Sequence, residues 1–411
     1  MDSYDFIVEA VERFRARWAL LWSDMVLVTA GDVLTSLAEH KVLYAGIDPD
    51  YAVFEPSDAA LADALAAEFA QKGVTVFADK RFGSKVYLYV FALQTKAPET
   101  QWPQLENFWQ SPLTNRKVLE SAALPGEMTP FIFKGGEYRV ENVMQHFLTG
   151  ELEEGVPRES HFRIRRVADD RIISIPLRGH YFGTAFVWND VCYCFSLDLE
   201  GRESWASSRV IMIKSDDLEH WSDPVCVWDV TGDGEKIFNN SITFDGRRFV
   251  LLYENNDPRY PIYTLKFAES DDLTHWRKVE NALYGPDKYT GGPSLYWIGE
   301  DQYYYLTYVD MFVHPISRKL AYRTSVSRSK DLVKWEDAPA GRHVLLPDFS
   351  RVTDPAGHPG VYELNNSDAE YLEKDGVVRA YFCGGNQCGV TDNQTAEFHG
   401  TLAEFFRAFY M

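Results

Sequence analysis

The stretch Ser215-Asp216-Asp217-Leu218-Glu219-His220-Trp221 recurs as Ser270-Asp271-Asp272-Leu273-Thr274-His275-Trp276 and as Ser329-Lys330-Asp331-Leu332-Val333-Lys334-Trp335. The copies begin 55 and then 59 residues apart, which is about the length of one four-stranded propeller blade with its loops. Each copy follows a strand-like run, so this Ser-x-Asp-Leu-x-x-Trp motif predicts a turn followed by a new strand. We expect its Asp to cap the turn and its Trp to pack in the core.

Five predicted hairpins complete the pattern, each made of a strand, a tight turn and an aromatic return strand. Their turns are Gly135-Gly136, Asn189-Asp190, Asp245-Gly246, Gly299-Glu300-Asp301 and Lys374-Asp375-Gly376. Asp-Gly and Gly-Gly are strong hairpin signals. The sequence therefore predicts a mainly β fold, a five-bladed β-propeller over residues 126–411 that ends in a helix at Thr401–Phe409. Blade 5 runs out of chain, so a segment near Lys117–Ala122 is predicted to supply its missing strand and close the ring.

The first 95 residues predict a small α+β domain. Apolar residues have helical spacing over residues 4–22, and a second helix is predicted from about Asp58 to Gln71 with Ser57 as its N-cap. Strand-like runs are Met25–Val28, Lys41–Ala45, Val74–Ala78 and Lys85–Ala92. We find no nucleotide-binding fingerprint there and expect a packing role or homo-oligomerisation through this domain. Residues 96–125 hold four Pro and predict a linker.

Charge and composition narrow the classes of partner. The formal net charge is −20, from 61 acidic and 41 basic residues, and a field of that sign repels nucleic acid and anionic membranes. The start of the chain lacks the features of a signal peptide, and no apolar run is long enough to span a bilayer. The five Cys have no metal-type spacing and predict free thiols in a reducing cytoplasm. We expect no cofactor, and no ligand spacing supports a divalent cation in the channel.

The alternation of strands predicts where functional groups collect. The beginning of each blade's first strand and the end of its second strand share one rim of the central channel, and loops on such a rigid scaffold commonly carry function. Polar residues fill these rim positions. They include Glu127, Glu141, His180, Asp198, Asn239, Asn240, Glu254, Asp310, Asn366, Asp368 and Gln387.

Carboxylates near a partly apolar channel can have separated pKa values, as general acid–base catalysis requires. We predict Glu254 and Asp310 as the acid/base pair, with Glu254 as proton donor and with Asp368 and Glu141 as further acidic groups. Two carboxylates around one pocket suit glycoside hydrolysis, and neighbouring polar and aromatic groups suit a sugar. The predicted substrate-binding residues are His180, Asp198, Asn240, Asn366 and Gln387.

From about residue 126 onward, the chain resembles the five-bladed β-propeller glycoside hydrolases, the broad group around families 32, 43, 62, 117 and 130. The Ser-x-Asp-Leu-x-x-Trp turns carry the resemblance. So do Asn365-Asn366-Ser367-Asp368 and the stretch from Tyr381 to Gln387, which look like an uncharacterised subgroup. The resemblance implies a cytoplasmic glycosidase with a small carbohydrate substrate.

The chain departs from that family's pattern at two positions. Thr129 lies where an Asp usually opens blade 1, and Asn239-Asn240 begin blade 3 where a general-acid Glu is usual. Family roles are therefore not transferable residue by residue. Two alternatives stay open: a carbohydrate-binding propeller without catalysis, and a phosphorolytic glycosidase. For the second alternative, Arg139, Arg163 and Arg165 are candidate phosphate ligands.

Overall fold

The structure is a computed structural model of the chain. It describes residues 26–27, 43–47, 52–55, 58–71, 75–82, 85–91, 95–96, 111–119, 126–144, 155–199, 206–313, 320–339, 342–348, 351–353, 361, 363–386 and 390–411. The predicted helix over residues 4–22 and the side chain of Gln387 lie outside these residues. The chain divides into two compact units, the first consisting mainly of Met1–Pro103.

The second unit contains five four-stranded antiparallel sheets. Their inner strands are Glu127–Phe133, Gly183–Trp188, Ile237–Phe244, Gly291–Ile298 and Ser367–Lys374. The second strands are Gly136–Val143, Val191–Leu197, Phe249–Asn255, Tyr303–Val313 and Val377–Gly385. The third strands are His161–Arg166, Arg209–Ser215, Thr264–Ser270, Leu320–Ser329 and Thr391–His399. The outer strands are Arg171–Arg178, Val225–Asp229, Trp276–Tyr284, Trp335–Asp337 and Thr114–Val118.

The five inner strands form a closed ring. Each contacts the inner strand of the next blade, and the inner strand of blade 5 contacts that of blade 1. Thr114–Val118 pairs with the third strand of blade 5 and overlaps the predicted closing segment at its first two residues. The predicted five-bladed β-propeller is therefore confirmed, and the inner strands are edge strands of their sheets, short and protected around the channel.

The three Ser-x-Asp-Leu-x-x-Trp motifs form the turns between third and outer strands. In the first copy, Ser215 Oγ accepts a hydrogen bond from the Leu218 N–H, and Asp217 Oδ1 accepts from the N–H groups two and three residues ahead. Trp221 Nε1 donates to the Leu218 carbonyl, and both other copies repeat these bonds. The motif leucines have left-handed backbones and are buried; they are Leu218, Leu273 and Leu332. The predicted turn-capping role of the Asp is confirmed.

The chain ends in a short helix, α2 (Leu402–Arg407), within the predicted Thr401–Phe409. Thr401 and Glu404 form a capping box at its N-terminus. Phe405 and Phe406 are fully buried against Tyr371 and other core residues of blades 4 and 5. Packing of this aromatic face, rather than the length of so short a helix, therefore stabilises it.

A β-bulge occurs near the beginning of three neighbouring inner strands. The pairing register with the second strand shifts between Ile237 and Asn240, between Gly291 and Ser294, and between Ser367 and Glu370. Each shift inserts one extra residue, which re-aims the side chains at that point. In blades 3, 4 and 5 the bulges thus determine which groups face the channel.

In the first unit, the described residues form a four-stranded antiparallel sheet and one helix. The sheet order is Leu43–Ile47, Ala52–Glu55, Lys85–Phe91 and Thr75–Phe82, and a separate two-residue ladder joins Val26–Leu27 to Thr95–Lys96. The helix is α1 (Ala59–Gln71). Asp58 Oδ1 accepts a hydrogen bond from the Leu61 N–H at the beginning of this helix, and the predicted N-cap, Ser57, lies outside the described residues. No helix in the described part of the chain has the length and apolar character needed to cross a membrane.

Candidate active site

A pocket lies where the beginnings of the five inner strands meet. All five blades contribute to its lining. The lining residues are Glu127, Met128, Thr129, Gly183, Asn239, Asn240, Gly292, Pro293, Ser294, Asp368, Ala369 and Glu370. The pocket therefore lies at the rim predicted from strand alternation.

Glu127 is the carboxyl group that blade 1 contributes. Its Oε1 accepts a hydrogen bond from Asn239 Nδ2 at 3.1 Å, which links blade 1 to blade 3 across the channel. Burial and the charges of Asp368 and Glu254 raise the pKa of Glu127 well above its usual value, and the Asn239 bond opposes this only in part. These surroundings favour the protonated form of Glu127, which a proton donor requires.

Asp368 enters the channel from the bulge of blade 5. Its backbone is left-handed (φ 53°), a conformation that Asp tolerates better than most residues do. Its carboxylate lies directly over Gly292, so that a Cβ at position 292 would overlap Asp368 Oδ1. Burial raises the pKa of Asp368 to about 6, and a hydrogen bond from the Ser367 hydroxyl opposes this rise. Asp368 is therefore mostly ionised at neutral pH.

Glu370 is the second carboxylate of blade 5 and faces Thr129 of blade 1. Its Oε2 accepts a hydrogen bond from the Tyr296 hydroxyl at 2.8 Å, and Thr129 Oγ1 lies 3.4 Å from its Oε1. Burial raises its pKa to about 7, the bonds from Tyr296 and Thr129 oppose the rise, and Asp368 adds to it. A carboxylate from blade 5 thus lies beside Thr129, the position on blade 1 at which the family that the sequence resembles usually has an Asp.

Glu254 lies behind this lining and is only 2% exposed. Its two carboxylate oxygens accept hydrogen bonds from the backbone N–H groups of Gly292 and Asn239. Burial and the charge of Asp368 raise the pKa of Glu254 to about 8 although both N–H bonds favour the charged form. Glu254 therefore positions the bulges of blades 3 and 4 and stays outside the pocket lining.

Glu141, predicted as an acidic catalytic group, lies in a buried cluster of arginines. It accepts hydrogen bonds from Arg139, Arg163 and Arg165. Burial opposes its ionisation, but the three guanidinium charges outweigh burial and lower the pKa of Glu141 to about 2. Glu137, on the same face of this strand, bonds Arg379 of blade 5. Glu141 therefore belongs to the interface between blades 1 and 5, and its three arginines are not among the residues that line the channel pocket.

Asp310, predicted as the partner of Glu254, also points away from the pocket. The preceding residue, Val309, packs against Gly292, and successive side chains of a strand point to opposite faces. Asp310 accepts two hydrogen bonds from Arg323, at 2.7 and 2.9 Å. The charges of Glu254, Asp368 and Glu127 act on one another, and the pairing of Glu254 with Asp310 stays a prediction.

Of the four predicted substrate-binding residues that the structure describes, one lines the pocket and three do not. Asn240 lines the pocket. Asp198 forms an ion pair with Arg209, Asn366 is buried and donates to Glu363, and His180 Nδ1 contacts the Arg178 carbonyl. None of these three is among the residues that line the pocket. In the part of the chain that the structure describes, no group of three His, Cys, Asp or Glu is arranged to hold a metal ion.

The sequence pattern does not indicate Glu370 as a site residue, and it indicates Glu127 only as one of the polar rim positions. The available signal was the acidic pair Asp368 and Glu370 at the beginning of a predicted inner strand. Two residues apart, they would share one face of a regular strand. The bulge between Ser367 and Glu370 changes that relation, and it is not visible in the sequence.

Two solved structures are similar to this chain over most of its length. One is described as "Glycoside hydrolase"; it has 15% sequence identity and a TM-score of 0.50, over 73% of this chain and 97% of that one. The other is a BT0996 RGII complex; it has 16% identity and a TM-score of 0.50, over 70% of this chain and 92% of that one. No protein-family model and no curated protein matches the sequence. At these identities the similarity shows the fold, and in this respect it confirms the resemblance to propeller glycoside hydrolases.

Proposed function

We propose that this protein is a glycoside hydrolase whose acid and base are carboxyl groups of the channel pocket. One observation carries the proposal: Glu127, Asp368 and Glu370 line one pocket, and different combinations of burial, neighbouring charge and hydrogen bonds raise their pKa values. Glycoside hydrolysis needs one carboxylic acid to protonate the leaving oxygen and one carboxylate to activate water or to attack the sugar.

The pKa values suggest which group takes which role. Burial and the charges of Asp368 and Glu254 raise the pKa of Glu127 well above its usual value, which suits the general acid. Asp368 has a pKa of about 6 and is mostly ionised, which suits the base or nucleophile. Glu370 lies beside Asp368 and is positioned by Tyr296 to contact the same sugar.

The phosphorolytic alternative lacks support at this pocket. Arg139, Arg163 and Arg165 all donate to Glu141, in the interface between blades 1 and 5. Among the described residues, the pocket is lined by acidic and neutral side chains only. An attacking phosphate would meet like charge there, so we favour water as the acceptor of the glycosyl group.

The test is a screen for hydrolysis of aryl glycosides and short oligosaccharides without phosphate, followed by Glu127→Gln in the active assay. The variant is expected to lose about 10²–10⁴-fold in turnover of substrates with poor leaving groups, the usual range for a general acid. Substrates with good leaving groups need less protonation and should lose less. An equal loss for both kinds of leaving group would contradict the role of Glu127, and binding without any cleavage would favour a carbohydrate-binding protein.

A further inference from the structure

Two polar side chains that precede Asp368 form a chain of hydrogen bonds that ends on its carboxylate. The Asn365 side-chain amide donates to Ser367 Oγ at 2.9 Å, and the Ser367 hydroxyl donates to Asp368 Oδ2. Asn365 and Ser367 are 2% and 1% exposed, and bonds so shielded from water are stronger than bonds at the surface. Asp368 lines the pocket, and neither of the other two is among its lining residues. Any effect of Asn365 and Ser367 on a substrate therefore passes through Asp368.

The direction of each bond in this chain is determined by its partners. Asn365 Nδ2 also donates to the backbone carbonyl of Cys383, at 3.3 Å, and a carbonyl oxygen only accepts. The amide nitrogen of Asn365, rather than its oxygen, therefore faces Ser367 and occupies a lone pair of the hydroxyl. The single hydroxyl proton of Ser367 is then left for Asp368, because an ionised carboxylate only accepts.

The peptide before Asp368 is held by two other strands. The backbone N–H groups of Leu364 and Asn365 both donate to the Gly385 carbonyl, at the end of the second strand of blade 5. The Asn366 N–H donates to the Tyr322 carbonyl in the third strand of blade 4. The hydrogen-bond donors to Asp368 are therefore fixed in advance and need not reorient when its charge changes.

We propose that Asn365 and Ser367 are positioning residues for Asp368, which hold its Oδ2 and leave Oδ1 to act on the sugar. Oδ1 lies over Gly292, which lines the same pocket. A hydrogen bond to an ionised acceptor is about twice as strong as one to a neutral acceptor, so Ser367 stabilises the ionised form of Asp368. This inference rests on the proposed function for the role of Asp368, but the hydrogen bond itself can be tested by stability alone.

Four titratable groups of blades 1, 3 and 5 also interact electrostatically with Asp368 in the described part of the chain. They are Glu127, Glu254, Glu370 and Cys383. Replacement of Ser367 by Ala removes a neutral hydroxyl and leaves all four groups in place. A change in the pKa of Asp368 in this variant therefore reports the lost hydrogen bond.

The first test is the pH profile of kcat/KM for a glycoside that the wild type cleaves. Ser367→Ala should move the acidic limb to higher pH by about one unit, because the ionised form of Asp368 loses more than the protonated form does. The matched control is Ser327→Ala, which removes a buried hydroxyl that donates to Asp337, outside the pocket lining. Its acidic limb should coincide with that of the wild type. An unmoved acidic limb in Ser367→Ala would overturn the inference.

A second variant tests whether Asn365 acts through Ser367. Asn365→Ala should move the acidic limb in the same direction as Ser367→Ala, but by less. In the double variant the limb should move no further than in Ser367→Ala alone, because the hydroxyl that Asn365 orients is absent. Shifts that add up in the double variant would contradict the proposed order, in which Asn365 holds Ser367 and Ser367 holds Asp368.

Urea denaturation tests the same hydrogen bond without a substrate. Asp368 is mostly protonated at pH 5 and ionised at pH 8, so Ser367→Ala should lower the folding equilibrium constant about tenfold more at pH 8 than at pH 5. In an Asp368→Asn background this pH dependence should vanish. An equal loss at both pH values would overturn the inference. A wild type that cleaves no glycoside overturns the proposed function alone, since the stability measurement still decides whether Ser367 holds Asp368.

Discussion

Replacement of Glu254 by Gln should change how the stability of the protein depends on pH. Glu254 is buried, and its pKa rises from 4.5 to about 8 in the folded state. Between about pH 5.5 and 7.5 the group is mostly ionised in the unfolded chain and mostly protonated in the folded protein, so folding takes up about one proton. The free energy of unfolding of the wild type therefore falls as pH rises, by about 1.4 kcal/mol per pH unit from this group.

Over that window the contribution of Glu254 amounts to about 3 kcal/mol. Gln does not titrate, so this part of the slope disappears in the variant. Its amide nitrogen cannot accept a hydrogen bond from the N–H of Gly292 or Asn239, which adds a cost of about 1–3 kcal/mol that does not depend on pH. The free energy of unfolding of the variant relative to wild type should thus rise by about 3 kcal/mol between pH 5.5 and 7.5, and the variant should be the more stable protein at pH 7.5.

Urea denaturation followed by tryptophan fluorescence at several pH values measures this difference. The other channel carboxyl groups are present in both proteins, so the comparison reports Glu254 together with its charge interactions with Asp368 and Glu127. Glu219→Gln, at an exposed position, should follow the wild-type curve. A stability difference between wild type and Glu254→Gln that stays constant across the window would refute the claim that Glu254 is buried and protonated at neutral pH.

Three further substitutions test the surroundings of the site. Gly292→Ala places a methyl group against the Asp368 carboxylate and should abolish activity. The control Gly376→Ala lies in an open turn that also has a positive φ, and it should cost only about 1–2 kcal/mol of stability. Equal activity in the two variants would contradict this prediction. Tyr296→Phe removes a hydrogen-bond donor to Glu370, so the pKa of Glu370 should rise above about 7 and one limb of the pH–activity profile should shift to higher pH. An unchanged pH–activity profile would contradict this prediction. Glu141→Gln leaves three buried guanidinium groups without their carboxylate and should destabilise the fold by about 3–5 kcal/mol. The protein that remains folded should stay active. A variant that is fully stable but inactive would indicate that Glu141 is a catalytic group.

The fold was predictable because its repeats are local. In each Ser-x-Asp-Leu-x-x-Trp turn, hydrogen bonds within a few consecutive residues define the turn. Three copies therefore locate the turn between the third and outer strands in three blades without tertiary information. The hairpin turns carry signals of the same kind. The position of the closing strand followed from the need to complete blade 5, and the structure places it at Thr114–Val118.

The site was less predictable because it depends on register. Strand alternation brought Asn240, Glu254 and Asp368 to the correct rim, but it did not separate Asp310, which points to the face opposite Val309. The arginines around Glu141 lie 2, 22 and 24 residues away in sequence, and nothing local indicates that they converge on one carboxylate. The bulges that aim Asp368 and Glu370 arise from pairing with the second strand, which a single sequence does not show.

The most direct test of the channel carboxylates as the catalytic groups is the turnover of Asp368→Asn compared with Asp310→Asn. Both variants remove one carboxylate, but only Asp368 lines the pocket. With a glycoside that the wild type cleaves, kcat of Asp368→Asn should fall by at least about 10³-fold with an unchanged fold, and Asp310→Asn should stay within about threefold of wild type. Full turnover by Asp368→Asn, or a collapse of turnover confined to Asp310→Asn, would contradict the assignment of catalysis to this pocket.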